Sequence, residues 1–396
     1  MDNVSSMDSI VVAGSSLAGL RAAEAIRREG YSGSLTVVGE ELHDPYDRPP
    51  LSKGFLGGAA VASTLQLRRT PDLEADWLLG RRIASLDADR QRLVMTDGSE
   101  LPYDGLVVAT GAAPRPLPAV PETVPRCHML RTVDDAIALR DDLSSARHVV
   151  IIGGGFIGSE LASTCRTLGL AVTVITPLPL LATALGELAP AATTRARNHG
   201  VHVIDDAAVT GCAVQTDGTS ILLSDGRSVA ADVIVVAIGA VPQTGWLQGS
   251  GAVLRDGVVC DETLTVQGLP HAVAAGDVAR WPHPALGGEL LRLEHWTNAV
   301  EQAAAAARRL VQGTAQPFAP VPSFWSDQFG MRLQCVGIPS IADEVVVVSG
   351  DPEGDVFVAE YRRRGHLVAA VAAGSAAALL PYRRELAERL RSALPA

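Results

Sequence analysis

Lys53 is the only lysine among the 33 lysines and arginines of this 396-residue chain. It ends the segment 46–53, YDRPPLSK. A lysine ammonium is a compact charge, whereas arginine carries a broad planar fork, so the two are not interchangeable where a small cation must fit against a ring edge or a single oxygen. All the other basic residues among these 33 are arginines, so a lysine at this position predicts a functional cation. The alternative is an ordinary surface lysine in a chain that otherwise uses arginine.

A glycine-rich turn precedes this segment and predicts a dinucleotide site. An apolar run at 9–13 enters the turn GSSLAG at 14–19, a helix is expected over 20–29, and another strand over 34–38. Such turns let backbone N–H groups approach a pyrophosphate at a helix N-terminus. Ser16 replaces the usual second glycine, and its hydroxyl can itself donate to phosphate. Glu40 is expected to bind ribose hydroxyls, unless it is an exposed acid at a strand end.

The same unit recurs at 148–175, which predicts a second nucleotide site. A strand at 148–152 enters the turn GGGFIG at 153–158, a helix is expected over 159–168, and a strand follows at 171–175. Thr176 occupies the position where a ribose-binding acid is expected. No arginine stands beside it to accept a 2′-phosphate. NADH is therefore the expected nucleotide, with NADPH left open.

The repeat predicts an α/β fold with two Rossmann-like dinucleotide-binding domains, as in glutathione reductase, and a C-terminal α+β domain. The runs 106–111 and 233–239 resemble each other, since each is an apolar run that ends in a turn of small residues. Each is therefore expected to be the last strand of its domain before the chain crosses to the other. The second domain is therefore expected as an insertion in the first, with a proline-rich crossing at 114–125. The expected boundaries are 8–113 and 243–318 for the FAD-binding domain, 114–242 for the NAD-binding domain, and 319–396 for the C-terminal domain. Strands at 344–348, 356–361 and 366–371 and a helix at 381–394 are expected in the last.

Composition excludes several classes of function. A formal net charge of −11 argues against sequence-independent nucleic-acid binding and against a polybasic membrane anchor. The five cysteines are odd in number and show neither metal nor redox spacing, so they are expected to be reduced packing residues of a cytoplasmic protein. No metal site, nucleic-acid partner or membrane segment is predicted. A monomer or weak homodimer is expected.

Two dinucleotide sites in one chain suggest hydride transfer from a nicotinamide to a bound flavin, where the cofactors do the chemistry and the protein aligns them. The segment 274–279, AAGDVA, fits this interpretation. Asp277 follows a predicted strand and is a candidate for a ribityl hydroxyl. The alternative is an aspartate that caps a helix beginning close by.

Several segments together resemble the FAD-dependent ferredoxin reductases of bacterial oxygenase systems, the group of putidaredoxin-reductase-like and biphenyl-dioxygenase-reductase-like enzymes. The segments are the first glycine turn, RPPLSK at 48–53, LRT at 130–132, GGGFIG at 153–158, AGDVA at 275–279, WTNA at 296–299 and PSFWSDQ at 322–328. RPPLSK and FWSDQ are specific to this group, whereas glycine turns occur in many flavoproteins. The resemblance spans nearly the whole chain.

The resemblance implies a set of site residues. The candidate FAD-binding residues are Gly14, Ser16, Leu17, Ala18, Gly19, Glu40, Arg48, Lys53, Ile83, Ala109, Thr110, Gly111, Arg131, Gly276, Asp277 and Trp296. The candidate NAD-binding residues are Gly153, Gly155, Phe156, Ile157, Gly158, Glu160, Thr176 and Gly239. Lys53 and Glu160 are the candidate catalytic residues, as an ion pair near the reactive nitrogen of the flavin. Trp325 is expected near the flavin, or in interdomain packing.

The resemblance also implies electron transfer, one electron at a time, to a small iron–sulfur ferredoxin that feeds a monooxygenase or dioxygenase. A basic docking face is expected among Arg68, Arg69, Arg308, Arg309 and Arg332. A disulfide reductase is excluded because residues 44–53 contain no cysteine. A redox-sensing protein like apoptosis-inducing factor, a rubredoxin reductase and a flavin-free NAD-binding scaffold stay open as alternatives.

Overall fold

The first domain is built on a five-stranded parallel sheet. The computed structural model describes residues 7–215 and 218–393. The strand order across the first sheet is Ala272–Ala274, Gly105–Val108, Ser9–Ala13, Ser34–Val38 and Asp76–Leu78. Its central strands are short apolar runs that are buried on both faces, as parallel strands covered by helices require. The first strand in this order lies more than 160 residues beyond the second along the chain, so the sheet is completed by a late segment of sequence.

A second five-stranded parallel sheet lies between those two segments in the sequence. Its order is Val201–Ile204, Ala171–Ile175, His148–Ile152, Val233–Val236 and Cys127–His128. Two short strands that connect the sheets, Ala112–Pro114 and Ala240–Pro242, pair with each other in antiparallel fashion. The two Rossmann-like sheets predicted from the repeat are confirmed, while the residue boundaries of the domains stay predictions.

The helices cover the sheets and begin at the glycine turns. The longer helices are Leu17–Arg28, Val133–Leu143, Phe156–Thr167, Ala189–Asn198, Trp296–Gln312 and Leu380–Ala393. Leu17–Arg28 and Phe156–Thr167 each begin three residues before the predicted start, because the last residues of each glycine turn already form the first helical turn. Helix Trp296–Gln312 buries the alanine stripe Ala299, Ala303, Ala306 and Ala307 against the first sheet and its helix.

The C-terminal domain is an antiparallel five-stranded sheet with a helix. The strand order is Ser323–Gln328, Met331–Gly337, His366–Ala373, Phe357–Arg363 and Glu344–Gly350. The first two strands were not predicted. Ser326 and Gln328 lie on the buried face of Ser323–Gln328, so the apolar alternation that marks a half-buried strand is absent. The predicted last helix is found at Leu380–Ala393, and Leu394 lies outside the described residues.

Shorter elements complete the fold. The remaining strands are Ile83–Asp87, Arg92–Met95, Glu100–Pro102, Val209–Gln215, Gly218–Leu223, Ser228–Ala231, Val258–Val259, Ala279–Pro282 and Leu290–Leu291. Single helical turns are Pro49–Ser52, Ala62–Leu65, Ala182–Leu185, Gly186–Leu188, Gly245–Leu247, Pro284–Leu286, Pro339–Ile341 and Ala376–Leu379. No helix in the described ranges has the length and apolar character needed to cross a bilayer.

The expectation of a helix just after Asp277 is wrong. Ala279–Pro282 is a strand that pairs with Val258–Val259 and Leu290–Leu291, and the next long helix begins at Trp296. Asp277 therefore caps no helix, and its carboxylate pairs with Arg131 instead.

Candidate functional site

The first glycine turn holds helix Leu17–Arg28 directly against the sheet. A Cβ atom on Gly19 would lie 1.7 Å from the carbonyl oxygen of Gly14, and one on Gly14 would lie 2.1 Å from the carbonyl oxygen of Ala109. Gly14 also has φ +124°, in the region that favours glycine. Only glycine fits these positions, and the close approach exposes the helix N-terminus as an anion site.

The second turn repeats this geometry. A Cβ atom on Gly158 would lie 2.0 Å from the carbonyl oxygen of Gly153, and one on Gly153 would lie 2.2 Å from that of Ala237. Gly154 is tight as well, because an added Cβ would meet Thr176 Oγ1 at 2.9 Å. Thr176 is buried and donates its hydroxyl proton to the carbonyl oxygen of Leu178 at 2.9 Å.

A cleft opens where the first domain, the helix Phe156–Thr167 and the C-terminal sheet meet. Segments from all three contribute to its wall. The lining residues include Ser16, Leu17, Ala18, Arg48, Lys53, Ala109, Gly111, Arg131, Phe156, Ile157, Glu160, Gly276, Asp277, Glu294, His295, Trp296, Phe324 and Trp325. Lining residues near both glycine turns therefore face one shared space.

Lys53 and Glu160 form an ion pair inside this cleft. Lys53 Nζ lies 2.6 Å from Glu160 Oε2, and the Glu160 side chain is only 6 % exposed. Ser52 donates to the same oxygen at 2.6 Å, and Ser326 donates to Glu160 Oε1 at 2.7 Å. The helical turn Pro49–Ser52, where two prolines favour the fixed φ, sets Lys53 toward the cleft. The only lysine of the chain therefore meets a buried carboxylate more than 100 residues away.

Two arginines add positive charge to the same wall. Arg131 Nη2 lies 2.8 Å from Asp277 Oδ2, and Arg48 donates to Ser16 Oγ at 3.2 Å and to the carbonyl oxygen of Arg131 at 2.6 Å. Burial opposes the charge of Arg131, but the Asp277 carboxylate raises its pKa overall. Arg48 also pairs with Glu41. The arginines are thus fixed beside the first glycine turn, where a pyrophosphate would lie.

His295 and the tryptophans close another side of the cleft. Burial lowers the pKa of His295 to about 4, so its imidazole is neutral at pH 7. Its Nδ1 atom is buried without a hydrogen-bond partner among the described residues. Trp296 Nε1 donates to Asp47 Oδ1 at 2.8 Å, and the Trp296 and Trp325 rings meet edge to face at 6.2 Å. Sequence reasoning missed His295 and Glu294, although both immediately precede the WTNA segment.

Other predicted residues lie outside the lining of the cleft. Glu40 is exposed and pairs with Arg82 at 3.3 Å. Ile83 begins a strand and packs against the hydrophobic core around the first sheet. The predicted residues without a place in the lining are Gly14, Gly19, Glu40, Ile83, Thr110, Gly153, Gly155, Gly158, Thr176 and Gly239. The glycines among them shape the turns behind the wall, and Thr110 donates to the carbonyl oxygen of Gln243 at 2.8 Å.

The residues present fit an FAD molecule. The glycine turn and two arginines suit a pyrophosphate, and Asp277 supplies an acceptor for a hydroxyl. A Cβ on Gly276 would lie 2.9 Å from the Cβ of Ala18, so the backbone at Gly276 packs against the first glycine turn too closely for a side chain. The Nδ1 atom of His295, which has no hydrogen-bond partner within residues 7–215 and 218–393, offers a further polar contact to a ligand.

Comparison with known proteins places the chain in a family. Residues 8–303 match the model of the pyridine nucleotide-disulphide oxidoreductases, and residues 323–395 match that of the reductase C-terminal domain. Rhodocoxin reductase of Rhodococcus erythropolis is 36% identical over 88% of this chain and 82% of its own length. The ferredoxin–NAD(+) reductase component of the p-cumate 2,3-dioxygenase system of Pseudomonas putida is 37% identical over 88% of this chain and 85% of its own length.

A solved structure agrees. Putidaredoxin reductase in its covalent complex with putidaredoxin superimposes with a TM-score of 0.90 at 30% identity, covering 96% of this chain and 93% of that one. The fold class and the resemblance predicted from the sequence are therefore confirmed. Family membership implies binding of FAD and of NADH or NADPH. The chain belongs to the pyridine nucleotide-disulphide oxidoreductase family and, within it, to the FAD-dependent ferredoxin reductases of bacterial oxygenase systems.

Proposed function

We propose that the protein oxidises NADH and delivers the electrons singly to a small iron–sulfur ferredoxin of an oxygenase system. The observation that carries the proposal is the Lys53–Glu160 pair, which stands in a cleft lined by residues from both nucleotide domains. The relatives named above are a rhodocoxin reductase and a ferredoxin–NAD(+) reductase component, and the matches cover 82% and 85% of their own lengths. FAD, when bound, supplies the conversion of a two-electron hydride transfer into single-electron steps.

The chain's own residues have distinct roles in this proposal. Arg48, Arg131 and the N-terminus of helix Leu17–Arg28 would hold the pyrophosphate of FAD, and Asp277 would accept a hydroxyl of its ribityl chain. The Trp296 backbone would hold the flavin ring, as the family resemblance implies. Lys53 and Glu160 would fix one charge of each sign beside the reacting centre without reorganisation during the reaction.

The preference for NADH is inferred from the second turn. The Thr176 hydroxyl is committed to the backbone of its own loop. Residues 176–186 contain no charged side chain, so this loop offers no cation to a 2′-phosphate. An additional phosphate would bring up to two uncompensated negative charges to a protein of net charge −11.

Anaerobic titration tests the proposal. The purified yellow protein should lose its flavin absorbance with one equivalent of NADH, and less readily with NADPH. Addition of oxidised ferredoxin should then restore the absorbance within the mixing time. A colourless protein that stays colourless after incubation with FAD, or a reduced protein that no ferredoxin reoxidises, would contradict the proposal.

A further inference from the structure

We propose that Ser326 of the C-terminal sheet is a positioning residue for the Lys53–Glu160 pair, so that the hydride site is complete only when this sheet is seated against helix Phe156–Thr167. The inference deepens the proposed function and rests on it for the chemistry that the pair serves. Its structural part concerns only side chains of this chain and stands without any ligand.

The two oxygens of Glu160 are held by different domains. Oε2 accepts from Lys53 and Ser52, both in the first domain, at 2.6 Å each. Oε1 accepts from Ser326 at 2.7 Å, and no other donor reaches it in the part of the chain that the structure describes. Glu160 is 5 % exposed, so water is a poor substitute for a missing donor. Removal of the Ser326 hydroxyl therefore leaves half of a buried carboxylate without a partner.

The Ser326 side chain is held in place by its burial in the sheet and by a hydrogen bond from Gln328. It has no exposed surface and lies opposite Leu333 in the sheet. Gln328 Nε2 lies 3.3 Å from Ser326 Oγ and can only donate to it. Because the hydroxyl accepts from Gln328, its single proton is directed to Glu160. A polar pair on the buried face of a strand is costly unless it is bonded in this way.

The strand is anchored to the second domain by further bonds at its end. Phe329 N donates to Ser163 Oγ at 2.7 Å, and Arg195 Nη2 donates to the carbonyl oxygen of Phe329 at 3.0 Å. Ser163 lies on the same helix as Glu160, one turn away. The position of Ser326 relative to Glu160 is therefore set by the docking of the sheet and not by a mobile side chain.

A stopped-flow comparison tests the function of this contact. In Ser326→Ala, Glu160 loses the donor that fixes the orientation of its carboxylate and the pair is expected to loosen, so flavin reduction at saturating NADH should fall about tenfold. FAD content and the KM for NADH should stay close to wild type. Ser326→Thr keeps the hydroxyl and should retain most of the rate. Ser323→Ala, on the same strand, is the matched control, since the Ser323 hydroxyl donates to Thr297 of helix Trp296–Gln312 and not to Glu160.

The single lysine gives a second readout that needs no turnover. Acetic anhydride labels Lys53 as the only side-chain amine, and mass spectrometry of the full chain, with and without FAD, follows its rate. In Ser326→Ala, Lys53 should be labelled about threefold faster or more, because an amine that spends more time away from the Glu160 carboxylate is more accessible to the reagent, while Ser326→Thr and Ser323→Ala should match wild type. Equal labelling and equal flavin reduction in Ser326→Ala and wild type would overturn the inference.

Other outcomes are equally decisive. If Ser326→Thr is as impaired as Ser326→Ala, or Ser323→Ala loses as much rate, the strand matters for folding alone and the positioning role is overturned. If the wild type binds no flavin, the proposed function fails, but faster labelling in Ser326→Ala would still support the contact between the C-terminal sheet and the ion pair.

Discussion

At the scale of single residues, the lone lysine is the strongest feature of this chain. Lys53 places a compact cation 2.6 Å from a carboxylate that is only 6 % exposed, so the two charges interact more strongly than they would in bulk water. The arginines of the cleft stand elsewhere, beside the first glycine turn. The chemistry of the site therefore separates a point charge near the reacting centre from planar cations suited to phosphate.

Lys53→Met should slow flavin reduction by NADH about 100-fold, because it removes a fixed charge beside the reacting centre and leaves Glu160 buried without its partner. Lys53→Arg should not restore the rate, since the guanidinium is too broad for the position. Stopped-flow absorbance with saturating NADH measures both. FAD affinity should fall as well, because Lys53 is also a candidate FAD-binding residue, and Arg90→Met, an exposed cation outside the cleft, is the control. Wild-type rates in Lys53→Met would refute the role.

His295 gives a prediction for acid stability. Burial lowers the pKa of His295 to about 4, against 6.5 in an unfolded chain. Between these values the unfolded chain binds a proton that the folded chain does not, so the free energy of unfolding falls as pH drops from 6.5 to 4. This residue should account for on the order of 2 kcal/mol of that loss.

His295→Asn should therefore flatten the dependence on pH, as measured by urea unfolding at pH 7 and pH 4.5. His283 is also buried with a lowered pKa, but it is present in both proteins and cancels in the comparison. Parallel losses of stability in wild type and His295→Asn would contradict the assignment.

The sequence predicts some of these residues and not others. Lys53 stands out by its rarity, and Glu160 by its place inside a helix that follows a glycine turn. Ser326 and His295 could not be found, because their importance depends on partners far away in sequence or on an unpaired nitrogen. Glu40 is a different case. Its spacing from the turn fits a ribose acid, its side chain is exposed and paired with Arg82, and its role at a ribose stays a prediction.

At the scale of elements, the glycine turns are the most predictable part of the fold. The buried strands Ser9–Ala13 and His148–Ile152 are apolar runs of the length expected for parallel strands. Strand Ser323–Gln328 is hidden from sequence analysis, because Ser326 and Gln328 face inward and interrupt the apolar alternation. Strand Met331–Gly337 does carry that alternation, with Met331, Leu333 and Cys335 buried in the core, so its pattern could have predicted it. The segment after Asp277 was predicted to begin a helix, because a glycine and an aspartate follow a strand there. In the structure this turn leads into the strand Ala279–Pro282.

Gly19→Ala tests the packing of the first helix. Its Cβ would overlap the carbonyl oxygen of Gly14, so helix Leu17–Arg28 must move away from the sheet. We expect a loss of at least about 2 kcal/mol in the free energy of unfolding and weaker FAD retention. Gly245→Ala is the control, because no atom lies within 4 Å of its added Cβ. Thermal unfolding and FAD content per chain measure both, and a wild-type melting temperature with full FAD content in Gly19→Ala would contradict the packing argument.

At the scale of the whole molecule, three domains converge on one carboxylate. Glu160 belongs to the second domain, Lys53 and Ser52 to the first, and Ser326 to the third. Tyr361 of the C-terminal sheet adds a further tie, since its hydroxyl donates to the carbonyl oxygen of Leu185 at 2.8 Å. Sequence repeats predict the two nucleotide domains, but not this convergence, because it joins positions with no shared pattern.

The net charge of the chain bears on where the electron acceptor docks. An acidic ferredoxin and a reductase of charge −11 repel each other overall, so association requires a local basic contact. Among the predicted docking arginines, Arg332 is the one that stands over a ring of the cleft wall, 5.9 Å from the Trp325 centroid, and 58 % of its side chain is exposed. Arg332 lies 3.8 Å from Asp327 on the neighbouring strand, and Arg308 pairs with Glu29 on the first domain.

Arg332→Glu should therefore lower kcat/KM for ferredoxin about tenfold at low ionic strength, and the difference from wild type should shrink in 0.5 M salt as screening weakens the contact. NADH-dependent reduction of ferricyanide should be unchanged, because it needs no protein docking. Arg308→Glu makes the same charge change away from Trp325 and should have a smaller effect. If Arg308→Glu is the more damaging substitution, or if neither depends on salt, the acceptor docks on another face and the contact at Trp325 is structural.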